Sequence, residues 1–122
     1  MHYALLIYQA EGLWEALSAA EQEALLGKHG ALQEHTKQQG TFGAAVKLTP
    51  SATAITVNKE GGKVTVTDGP FSETKEVLAG FYVFQCDTLE QAIDYAERIP
   101  HIQAGKVEIR PIAFSDSRAL LV

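Results

Sequence analysis

Two segments, HYALLIYQ (2–9) and GFYVFQCD (80–87), carry apolar residues at odd and even positions alike. Side chains of a strand alternate between its faces, so apolar residues of both parities require cover on both sides of a sheet. The first segment fits a strand central in a sheet, and the second reads as a strand rich in aromatic residues. The two-sided requirement forbids a chain that buries one sheet face and leaves the other to water.

The rest of the chain supplies the candidate layers. Ser18 followed by Glu21 is a capping box. It starts a helix expected over 19–39 and ended by Gly40, a residue suited to the left-handed C-terminal position. Residues 41–48 read as a second strand stopped by Thr49-Pro50. TAITVN and KVTVT flank KEGG, with Ile55, Val57, Val64 and Val66 alternating with polar residues. That pattern is a hairpin with one buried face. A second capping pair, Thr88 with Gln91, opens a helix with the stripe Leu89, Ala92, Ile93, Ala96 and Ile99. Residues 106–112 form a last strand, with Val107, Ile109 and Pro111 on one face. Residues 113–122 form a tail ending in the apolar Leu120 to Val122.

The order is β-α-β, hairpin, β-α-β. This is the order of a ferredoxin-like plait, α+β, with an inserted hairpin and both helices on one sheet face. Its other face must be covered, and a second copy of the chain packed sheet to sheet about a two-fold is the expected cover. The alternative is the chain's own C-terminal tail. With 122 residues the expectation is one domain, 1–122, burying roughly 65% of its unfolded surface.

Charge and composition exclude several functions. A net charge of −5 opposes a phosphate-tracking surface and an anionic membrane, so neither nucleic acid nor membrane is expected as a partner. The start, MHYALLIYQ, lacks the basic region and apolar length of a signal peptide or spanning helix. With Cys86 the only cysteine, a cytoplasmic protein is expected. No His-x-x-x-His spacing and no Cys/His cluster is present, so no metal is expected. No phosphate loop, nucleotide fingerprint or activated nucleophile appears, so no cofactor is expected either.

His29 falls at i+4 from Leu25 and three before Leu32, so it points to the sheet with them. Two readings stand: a core histidine hydrogen-bonded to a neighbour, or a general acid or base at a pocket mouth. His35 lies about 240° round the helix from His29 and cannot share its face. His2 and His101 read as a strand start and a loop, and Cys86 as core packing. Asp68 is either a plain turn residue or the carboxylate partner of His29. Gly69-Pro70 constrains the backbone beside it, which would aim the carboxylate reproducibly, with Phe71 as an apolar wall. Lys75 either meets an anionic substrate or pairs with Glu73 or Glu76.

The run TDGPFSETKEVLAGFYVF (67–84) resembles the signature of the DGPF group of the YCII-related (YciI-like) family. LLIY (5–8), Trp14, LS (17–18), HG (29–30), AIDYAERIP (92–100) and VEIRPI (107–112) fit the same layout. Ala19-Ala20 departs from it, where the family often has Pro-Glu. The resemblance implies a dimeric α+β barrel and a His–Asp site at His29 and Asp68, with Tyr8, Gly69, Pro70 and Phe71 as substrate-binding positions. One such relative is a dehydrochlorinase of a chlorinated hydroquinone, and DGPF members are often encoded beside extracytoplasmic-function sigma factors. The expected function is therefore acid–base chemistry of the elimination type on a small molecule. The alternatives are a non-catalytic dimer that binds a ligand or a sigma factor and, by fold analogy, a cofactor-free oxygenase.

Overall fold

A computed structural model describes residues 1–72, 74–100 and 105–117. Four strands form one antiparallel sheet in the order β2-β5-β1-β6: β1 (His2–Ala10), β2 (Phe42–Lys47), β5 (Glu76–Gln85) and β6 (Lys106–Pro111). Among the described residues β3 (Ile55–Glu60) and β4 (Lys63–Asp68) pair only with each other, in a second sheet. The helices are α1 (Leu13–Ala16), α2 (Ala19–Gln39) and α3 (Leu89–Arg98), so the chain is α+β.

The two strands of mixed parity are the two central ones. Tyr3, Leu5, Tyr82, Phe84 and Cys86 share one face and pack with Leu32 of α2 and Ala92, Tyr95 and Ile99 of α3. Both long helices therefore cover the same side of the sheet. Leu6 and Phe81 are opposite one another on the other side, only partly buried and outside that core. Stacked rings run across the covered face, from Tyr82 to Phe84 (centroids 5.2 Å apart) and on to Tyr95 (4.9 Å). Burial in this core pushes the Cys86 thiol pKa up, which keeps it protonated and unreactive.

The caps behave as local chemistry dictates. Ser18 Oγ accepts from the Glu21 N–H, and the Glu21 carboxylate accepts from the Ser18 N–H. Gly40, at φ 74°, closes α2 by donating to the carbonyls of Thr36 and Lys37. At α3 the reciprocal half of the expected box shifts by one residue. Thr88 Oγ1 accepts from the Gln91 N–H, but the Gln91 side chain accepts from the Asp87 N–H.

Several expectations need correction. The apolar face of the hairpin is not buried: Ile55, Val57, Val64 and Val66 are all more than half exposed. Alternation shows which residues share a face, not whether anything lies against it, and these two strands join no other sheet. The buried stripe of α3 is Ala92, Tyr95 and Ile99 with Ala96 beside them, while Leu89 and Ile93 face outward. Tyr95 fills the place assigned to Ile93 because its ring meets Phe84 and its hydroxyl lies 2.9 Å from Thr41 Oγ1. Residues 13–16, for which no element was expected, form α1. β5 begins at Glu76, ahead of the expected strand at 80–87, and Glu76 forms an ion pair with Lys106 rather than Lys75. Glu73, His101 and Leu120 to Val122 lie outside the described residues.

Candidate functional site

Where β1 and β5 meet near residues 7–8 and 78–80, the register shifts. Gly80 lies on the sheet there, so close to β2 that a Cβ would come within 2.3 Å of the Val46 carbonyl oxygen. The bared strand, α2 and the segment from Gln9 to Glu15 enclose a cavity of about 250 Å³. Its lining is mainly apolar, with Ile7, Leu25, Leu26, Val46, Leu48 and Val77, and one tryptophan, Trp14. His29, Gln33, Tyr82 and Lys47 are among its polar groups, and Glu11 and Glu15 are the carboxylates among the described lining residues. The volume suits a molecule of one substituted ring.

His29 stands as the α2 spacing requires, on the sheet side with Leu25 and Leu32. Its Nδ1 is 2.8 Å from the Tyr82 hydroxyl, and the two rings stack at 5.8 Å. Gln33, one turn beyond His29, donates from Nε2 to the same hydroxyl at 3.3 Å. Tyr82 is only 3% exposed. Burial pushes its pKa above 10.0, with the Gln33 bond opposing, so the phenol remains protonated at neutral pH. At the rim the Lys47 ammonium lies 4.4 Å from the centre of the Trp14 ring. Nearby the Ser51 hydroxyl donates to the Glu11 carboxylate, tying the turn at Ser51–Thr53 to the segment before α1.

The other expected site residues lie elsewhere. Tyr8, half-buried on β1, is opposite Leu78 and Lys106. Asp68 is the last residue of β4, exposed, opposite Ile55. Gly69, at φ 94°, donates to the Ala54 carbonyl and accepts from Thr56 Oγ1, which fixes the turn to the base of β3. Pro70 is exposed and Phe71 is 88% exposed. Of these positions only His29 is among the described residues lining the cavity.

Tyr82, Gln33, Trp14 and Lys47 escaped the sequence reading. Gln33 was legible as i+4 from His29. Tyr82 shares strand parity with core residue Phe84, but its meeting with His29 spans 53 positions and depends on how α2 lies across the sheet. Among the described residues no group of three His, Cys, Asp or Glu is placed to hold a metal ion, and no helix is long and apolar enough to cross a membrane.

Fold and cavity together define a small α+β protein that presents one imidazole, buttressed by a buried phenol, to an apolar pocket. The chain belongs to the YCII-related domain family, whose model matches residues 1–114. It is also 36% identical over 115 residues to an uncharacterised protein of Rhizobium meliloti (strain 1021), covering 93% of each chain.

Proposed function

We propose that the protein is a small-molecule enzyme of the DGPF group that works by proton transfer, with His29 and Asp68 as its acid–base pair. The observation that carries this reading is an imidazole held by a buried phenol inside an apolar-lined cavity of one-ring size. Low polarity strengthens hydrogen bonds and charge interactions at such a site. The reaction is of the elimination (lyase) type. A C–H proton passes to the pair, the C–H electrons form a new double bond, and the leaving group departs as an anion with its own bonding electrons. A cytoplasmic setting accords with the buried, unpaired Cys86.

The working unit is a homodimer of the dimeric α+β barrel kind, each chain a ferredoxin-like plait. The order β2-β5-β1-β6 and the placing of both helices on one face support it. So do the uncovered apolar residues of the hairpin and of the second sheet face. Asp68 shares the apolar face of its hairpin with Ile55, Val57, Val64 and Val66, so a partner seated there lies beside the carboxylate.

Trp14 lines the cavity and is the only tryptophan, so its fluorescence reports occupancy. Titration with a panel of small ring ketones bearing a halogen on the saturated carbon β to the carbonyl should quench it, and a halide electrode should record release from at least one of them above the uncatalysed rate. His29→Ala and Asp68→Asn should abolish release and leave the fold intact. A panel that neither quenches Trp14 nor yields halide would refute the reading. The exposed hairpin face favours one second reading, a non-catalytic dimer that binds a ligand or a sigma factor. On that reading a pull-down of the adjacently encoded factor succeeds and survives the double variant.

A further inference from the structure

We infer that the β3–β4 hairpin is the surface by which two copies of this chain recognise each other. Its apolar face packs on the same face of a second copy about a two-fold axis, with Lys59 of each copy against Asp68 of the other. The register puts Ile55, Val57 and Lys59 of β3 on one face with Val64, Val66 and Asp68 of β4. The opposite face carries only polar residues, from Thr56 and Thr67 at the base to Glu60 and Lys63 at the turn. The ribbon is therefore two-faced, yet Ile55, Val57, Val64 and Val66 are between 56% and 66% exposed. A lone two-stranded hairpin is marginal in water and needs a further layer on its apolar face. The bonds from Gly69 to Ala54 and from Thr56 to Gly69 hold only its base.

The charge pattern selects the occupant. Lys59 and Asp68 sit at diagonal corners of the apolar patch, Lys59 opposite Val64 near the turn and Asp68 opposite Ile55 at the base. Neither forms an ion pair among the described residues. A two-fold axis between two such faces, set perpendicular to the line joining these corners, exchanges them. Each lysine then meets an aspartate, and the four β-branched side chains of each copy interdigitate between the two pairs. The patch is its own complement. It is also neutral within a chain of net charge −5, so two copies meet there without the repulsion that the whole surface would impose. Six residues a side is small beside the roughly 20–30 of a standard interface, so the contact sets register and partner choice more than affinity. The inference rests on the homodimer of the proposed function and is independent of its acid–base chemistry.

Sedimentation equilibrium of the full chain over a wide concentration range measures the association. Lys59→Glu alone, and Asp68→Lys alone, each turn both cross-pairs into like charges, and each should weaken the dimer about tenfold or more. Mixing the two variants in equal amounts should restore a mixed dimer near the unaltered affinity, because each chain then offers the sign that the other lacks. Lys63→Glu makes the same change of charge on the polar face and should leave association unchanged. An unaltered chain that is monomeric at every concentration would overturn the inference together with the homodimer reading. A dimer indifferent to Lys59→Glu and Asp68→Lys would overturn the inference alone and move the contact to the uncovered face of the larger sheet. A mixture that fails to restore the dimer would overturn it as well. An equal weakening by Lys63→Glu would do the same, since the effect would then be one of net charge.

Discussion

Gly80→Ala is a severe test of how the cavity is built. The added methyl would lie 2.3 Å from the Val46 carbonyl oxygen, 3.3 Å from Lys47 Cα and 3.4 Å from Val46 C. All three belong to backbone, so no side chain can swing aside. The carbonyl must retreat by about 1 Å, the size of misfit that costs 1–3 kcal/mol in a packed interior. β2 is an edge strand and can yield, but Gly80 is paired with Lys47, so yielding weakens the β2–β5 ladder there. Each ladder bond contributes about 1 kcal/mol. Alanine recovers about 0.5–1 kcal/mol of chain entropy. The net expectation is a loss of about 2 kcal/mol, which at this length is roughly 8 °C in Tm. Urea unfolding followed by circular dichroism, at one fixed protein concentration, measures it. Gly30→Ala is the control: Gly30 lies inside α2 and a Cβ there meets nothing within 4 Å. It should stabilise by about 0.5–1 kcal/mol. A Gly80→Ala loss below about 0.5 kcal/mol would refute the claim that a bare backbone at this position sets the wall between β5 and β2.

Three further outcomes are expected. Ser18→Ala removes the cap of α2 and should cost about 1 kcal/mol in the same urea assay. Glu21 is held below its ordinary 4.5 chiefly by the Ser18 backbone N–H and then by the Ser18 hydroxyl. Because its folded pKa is depressed, its contribution is present above pH 4.5 and lost as the pH falls through the folded value. The Ser18→Ala penalty should therefore shrink in acid. Val57→Asp with Val66→Asp places two charges on the exposed hairpin face without touching the core. If the unaltered chain is the proposed dimer, sedimentation should report a folded monomer for the variant, and a variant that stays dimeric would take the hairpin out of the proposed interface. Tyr82→Phe removes the hydroxyl that bonds both Gln33 and His29, two half-buried residues, so a loss of about 1 kcal/mol is expected.

Much of the fold could be read because its causes are local. Mixed parity in 2–9 pointed to a central strand, and β1 is one of the two central strands. The Ser18–Glu21 box and Gly40 set the limits of α2 within a residue, since each satisfies backbone groups only a few positions away. The hairpin followed from alternation and from Gly61-Gly62, whose φ values of 57° and 79° suit the turn. What failed was whatever depends on a neighbour distant in the chain. Alternation could not tell that the hairpin face lies open. The α3 stripe could not choose between Ile93 and Tyr95 without Phe84 and Thr41 in place.

The candidate site divides in the same way. That His29 points to the sheet with Leu25 and Leu32 is a matter of 100° per residue, and the sequence by itself determines it. That a phenol waits there, and that it binds Nδ1 of the imidazole, was decided by the docking of α2 across β5. Helical periodicity orients a side chain about its own axis, but only tertiary packing sets what it meets.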